Sequence, residues 1–182
     1  MAFGEVIAEG WSKERKLALA IMLMALAIAL SPVHIPIGPT KAFPGQHIVN
    51  AIAGVILGPL WASAMALGIG IIRMSLGLGT IYSIPGGIPG AFVVGLAALV
   101  LKKAGRDPIK AALLEPLGTA VIGFLLALYL FAPLVGDFEK WRTALIPIWA
   151  TWIASTGVGT AIGYTALRVL RRTGLIQAPH SR

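Results

Sequence analysis

Residues 38 to 50 read GPTKAFPGQHIVN, crowding Lys41, Gln46, His47 and Asn50 around a Pro-Gly pair just where an apolar stretch begins. Counting back from that pair, Pro32, Pro36, Pro39 and Pro44 fall within thirteen residues. Each fixes φ and lacks an N–H donor, so no continuous helix runs through them. The stretch reads as a stiff loop feeding a helix from about Gly45. Gln46 and His47 open that helix, and Asn50 lies one turn deeper on a shared face.

The surroundings of that helix mouth follow from composition. Of 182 residues, 57% are hydrophobic and only 12% charged, and the mean hydropathy is +0.86. Soluble domains carry roughly a quarter charged residues. Ionisable residues gather in short clusters between long apolar runs, as expected of an integral membrane protein whose segments cross about 30 Å of hydrocarbon. Cysteine is absent, which excludes disulfides and thiolate chemistry. The net charge of +8 lies in the gaps between apolar runs, a membrane-topology pattern rather than a nucleic-acid footprint. The start, MAFGEVIAEGWSKERK, has acidic residues and no apolar run before Leu17, so it reads as no cleavable signal.

Six spans can be drawn in one all-α domain over 1–182: an N-terminal segment 1–16, a bundle 17–170 and a tail 171–182. The spans cover about 17–30, 45–58, 60–76, 91–101, 109–131 and 144–167. Gly58-Pro59 separates the second from the third. GLGTIYSIPGGIPG, residues 77 to 90, is too rich in Gly and Pro for a regular helix and too apolar for a free loop. Such backbone at membrane depth must be satisfied by protein, so a packed cap or re-entrant loop is expected. Lys13, Arg15, Lys16, the basic residues of 102–110, and those of 168–182 give eleven cations on one side; Lys41, Lys140 and Arg142 give three on the other. Both termini are therefore expected in the cytoplasm.

On this topology the polar residues meet near the outer leaflet. Gln46, His47 and Asn50 come from the second span, Arg73 from the third, Tyr82 and Ser83 from the cap, and Trp149, Trp152, Ser155 and Thr156 from the sixth. Trp and Tyr with a few donors and one cation suit a small, flat, partly polar molecule. The competing readings are interfacial belt tryptophans, a snorkelling arginine and a helix-capping histidine. Glu115 is expected well below Arg73, where binding substrate, tying helices together and responding to a partner all remain open. Gly54/Gly58 and Gly159/Gly163 fit close helix packing within the bundle. Ala18, Ala25 and Ala29, with Met22, form a stripe on the first helix suited to contact another membrane protein.

No phosphate loop, metal-protease motif or carboxylate-histidine cluster is present, and His34, His47 and His180 are too scattered for a metal site. The sequence offers no enzyme signature. An intramembrane enzyme would need a cytoplasm-facing carboxylate cluster, and a channel would need a polar stripe through the whole bilayer.

The run SPVHIPIGPTKAFPGQHIVNAIAGVILGP, the third-span arginine, GTIYSIPGG and EPLGT around Glu115 together resemble the substrate-binding (S) component of energy-coupling factor (ECF) transporters, in its ThiW-type thiazole family. The motifs cover about residues 30 to 125; Met74 stands where the family has a polar residue. The resemblance implies a six-helix S component in a prokaryotic cell membrane that captures hydroxyethyl-thiazole, a thiamine precursor, without a cofactor. Substrate contacts are expected among Lys41, Gln46, His47, Asn50, Arg73, Tyr82, Ser83, Glu115 and Trp152. The resemblance also implies docking of the alanine stripe on a transmembrane coupling protein that works with two ATPase subunits, and toppling of the whole S component to release substrate inward. Components for the thiamine pyrimidine, another vitamin or a metal are the nearest alternatives, though Ala2-Phe3 offers no N-terminal histidine for nickel or cobalt.

Overall fold

The computed structural model describes residues 7–8, 10–37 and 40–176. Gly38, Pro39 and His180 lie outside them, as do most of the segment before Gly10 and the tail beyond Ile176. The main helices are α1 (Lys13–Ala29), α2 (Pro44–Leu57), α3 (Pro59–Ser75), α4 (Ile88–Lys103), α5 (Pro108–Leu134), the short α6 (Phe138–Thr143) and α7 (Leu145–Arg172). Between α1 and α2 a hairpin pairs β1 (Ile35–Ile37) with β2 (Thr40–Ala42), Pro36 facing Lys41. The stiff loop expected from its prolines thus contains a strand pair, with Pro36 on an edge strand where its missing N–H is tolerated.

Three stretches are long and apolar enough to cross a membrane: Ile81–Lys103, Pro108–Leu134 and Leu145–Arg172; Pro59–Ser75 is a shorter apolar helix. Large apolar side chains point outward on every long helix except α2, among them Met22, Leu60, Leu96, Leu130 and Ile153. A soluble fold does not display such a belt. Helix α2 is the exception because it is the centre of the bundle. At 14 residues it spans only about 21 Å, and all of them but Ile48 are buried.

Small residues bring the helices close to α2. A Cβ on Gly159 or Gly163 of α7 would strike His47, Pro44, Ala51 and Ile48, and one on Gly54 would strike Val94 of α4. The two glycine pairs therefore serve intramolecular packing, as expected. At Gly58, φ is +84°, a left-handed turn cheap only for glycine. Pro59 then starts α3 where a missing N–H costs nothing. The cap that follows α3 is partly packed: the narrow turn at Ile81–Ser83 is half-buried, Pro85 and Gly87 are buried, and the chain runs directly into α4.

Helix α5 departs from regular α geometry. It opens with a narrow 3₁₀ stretch, Pro108–Leu114, and continues through wide π turns at Leu117–Gly123 and Ala127–Phe131. At the opposite end of the bundle from the hairpin, Arg171 of α7 pairs with Asp107 at 2.7 Å, fastening the ends of α5 and α7.

Candidate functional site

Where α1 and α3 end and α2 and α7 begin, a cavity of about 840 Å³ opens. Its lining includes Lys41, Gln46, His47, Arg73, Tyr82, Ser83 and Trp152. Prolines and glycines in both loops keep the backbone from closing over it as helix.

One side is a guanidinium held by neutral partners. Arg73, 4% exposed, donates from Nη1 to Gln46 Oε1 at 2.7 Å and from Nη2 to the Leu78 carbonyl at 3.3 Å. Its carbon lies 4.8 Å from the centre of the Phe43 ring. Gln46 in turn points Nε2 at the Ser83 carbonyl, at a long 3.4 Å, so its amide orientation is set from both ends.

Beneath His47 lies a fully buried carboxylate. Glu115 Oε1 accepts from His47 Nδ1 at 2.8 Å, from Thr119 Oγ1 at 2.8 Å and from Asn50 Nδ2 at 3.3 Å. Asn50 Nδ2 also donates to the Gly87 carbonyl at 3.0 Å. A side chain at Gly90 would occupy the space of Glu115 and Thr119, so this glycine makes room for the cluster. These bonds correct the expected depth of Glu115. It belongs to the same polar cluster as the mouth of α2 and ties α2 to α5. No ion pair joins it to Arg73 among the described residues. Asn50 and Glu115 stand behind His47 and do not line the cavity.

The opposite side is aromatic. Trp141 of α6 sits 4.6 Å from Tyr82, 5.6 Å from Phe124 and 5.9 Å from Trp152 between ring centres, and Phe124 meets Trp152 edge-on. Tilted and edge contacts of this kind contribute about 0.5–1.5 kcal/mol each beyond burial. Tyr82 donates to Asp137 at 2.8 Å, joining the cap to the loop before α6. The Phe43 N–H donates to Ser155 Oγ at 2.9 Å, anchoring the hairpin exit on α7.

A sequence match now decides the family: the family described as "Thiamine-precursor transporter protein (ThiW)" matches residues 17–173. The chain belongs to the thiamine-precursor transporter family. No curated protein sequence matches it. The fold is similar to a solved structure described as the S component of a bacterial ECF transporter, with TM-score 0.69 and 16% identity, covering 89% of this chain and 98% of that one. At that identity the likeness is one of fold. Family and fold are those of a substrate-binding transporter subunit in a membrane, not of an enzyme.

In this family member the cavity contains several residues that sequence reasoning did not single out. Phe43, Thr119, Asp137 and Trp141 all line it. Trp141 sits in a charged stretch, FEKWRT, that reads as solvent loop; only the presence of a tryptophan there hinted otherwise. Trp149, weighed with Trp152, is half exposed and donates to the Ala120 carbonyl at 2.8 Å instead of lining the cavity. Met74 does not line it either. On α1, Ala18, Met22, Ala25 and Ala29 are all exposed on one side.

Proposed function

We propose that this chain is the substrate-capture subunit of an ECF-type vitamin transporter and binds hydroxyethyl-thiazole, the thiazole precursor of thiamine, in an outward-facing cavity. The observation that carries the reading is the junction, in one cavity, of an aromatic wall (Tyr82, Trp141, Trp152) with hydrogen-bonding groups from Gln46, His47 and Arg73. A flat heteroaromatic ring stacks on the first and hydrogen-bonds to the second. Lys41 and Ser83 serve at the rim, and Asn50 and Glu115 act through His47.

The bundle sits in a prokaryotic cell membrane as six embedded helices, with both termini in the cytoplasm. The eleven-to-three bias of Lys and Arg supports that orientation, and it faces the cavity outward. The exposed Ala18, Ala25 and Ala29 stripe is the docking surface for a transmembrane coupling protein, which with two ATPase subunits supplies ATP-driven uptake. The chain's lack of a phosphate loop agrees with this division of labour.

Thermal unfolding of the detergent-purified chain tests the substrate. A ligand bound only by the folded state stabilises it by RT ln(1 + [L]/Kd), about 2.7 kcal/mol at a hundredfold excess over Kd. Hydroxyethyl-thiazole should raise Tm where the pyrimidine precursor and thiamine do not. A shift with the pyrimidine alone would reassign the substrate.

A further inference from the structure

We infer that the cavity selects a ligand carrying an acidic group, a carboxylate or a phosphate monoester, on its heteroaromatic ring. This deepens the thiazole reading and rests on it. Lys41, Arg73 and Lys140 line the cavity against one carboxylate, Asp137. Asp137 is already engaged, accepting from Tyr82 at 2.8 Å and lying 4.0 Å from Lys140. Among the described residues no carboxylate lies within ion-pair distance of Arg73 or Lys41.

Arg73 is the decisive group. A buried charge inside a membrane bundle ordinarily pairs with an opposite charge. Among the described residues the guanidinium has only a side-chain amide, a backbone carbonyl and an aromatic face, and its buried Nε has no hydrogen-bond partner. The partners fix its plane without neutralising it. A planar fork with spare N–H groups is the geometry that recognises a carboxylate or phosphate through paired hydrogen bonds. Lys41, exposed on β2 at the rim, adds a second positive charge that draws anions toward the opening. Glu115 stands behind His47, with Oε1 accepting from three donors and the buried Oε2 without a hydrogen-bond partner among the described residues.

The test measures equilibrium binding of three probes to the purified full-length chain at fixed pH and salt: hydroxyethyl-thiazole, its phosphate monoester, and a methylthiazole carboxylate. At least one anion should bind tenfold or more tighter than the alcohol, with a preference that shrinks as salt rises. Arg73→Gln should abolish the preference of anion over alcohol, the alcohol's own affinity falling as well because Arg73 is one of its contacts and holds Gln46; Arg73→Lys should keep part of the preference. Lys41→Gln, at an exposed position that leaves the fold intact, should reduce it several-fold and guards against misfolding of the Arg73 variants. Which anion wins separates carboxylate from phosphate recognition. If the alcohol binds as tightly as both anions, the inference falls and the thiazole reading stands. If none of the three binds, both fall.

Discussion

His47 donates from Nδ1 to Glu115 Oε1 at 2.8 Å, across the α2–α5 interface and with the carboxylate fully buried. Because Oε1 also accepts from Asn50 and Thr119, the carboxylate is an acceptor hub that fixes the imidazole plane. With Nδ1 committed, Nε2 is the ring nitrogen left for a ligand. Glu115→Gln should therefore weaken thiazole binding about tenfold, and His47→Ala at least as much. In a His47→Ala background, Glu115→Gln should cost no further affinity, because its effect passes through the ring. Additive losses, read by calorimetry, would show that Glu115 touches substrate on its own.

The same carboxylate carries a structural load. Removing it in Glu115→Ala takes the acceptor from His47 Nδ1 and leaves Asn50 and Thr119 only the Gly87 and Gly86 carbonyls, and a buried donor left unsatisfied costs about 1–3 kcal/mol. The variant should melt well below the wild type, while Glu115→Gln, which can still accept, should stay close to it. Equal melting temperatures for the two would contradict the hub.

Gly159 has no room for a side chain: a Cβ would come within 2.6 Å of the Pro44 carbonyl. Gly159→Val should push α7 off α2 and destabilise the fold by about 1–3 kcal/mol, the usual range for overpacking. Because His47 and Pro44 form the contact, ligand affinity should fall as well. Gly157→Ala, in open space on the same helix, is the control and should leave both unchanged.

The alanine stripe separates binding from transport. Ala25→Trp on the exposed face of α1 should leave ligand affinity of the isolated chain unchanged and abolish uptake by cells that carry the coupling subunits. Uptake at the wild-type rate would remove α1 as the docking surface.

Much of this architecture was legible because its signals are local. Gly58-Pro59 marks the α2–α3 break through backbone chemistry that needs no tertiary context, and the ends of α3 and α5 fall within a few residues of the apolar runs. Gln46, His47 and Arg73 were legible as polar groups placed at one depth. The depth of Glu115 was not, because it was counted along a regular helix. Pro108–Leu114 is 3₁₀, rising about 2.0 Å per residue instead of 1.5, so seven residues carry Glu115 roughly 3.5 Å further into the bundle. Trp141 and Phe43 were missed for a different reason. Their neighbours are polar or proline-rich, and only the packing of α6 against Tyr82 and of the hairpin exit against α7 turns them inward.

The central claim is that this cavity holds the thiazole precursor of thiamine, and titration calorimetry of the purified wild-type chain with hydroxyethyl-thiazole tests it most directly. The account predicts saturable binding at one ligand per chain, weakened at least tenfold by Trp152→Ala, with no binding of the pyrimidine precursor. Saturable binding of the pyrimidine, with no heat from the thiazole, would contradict it.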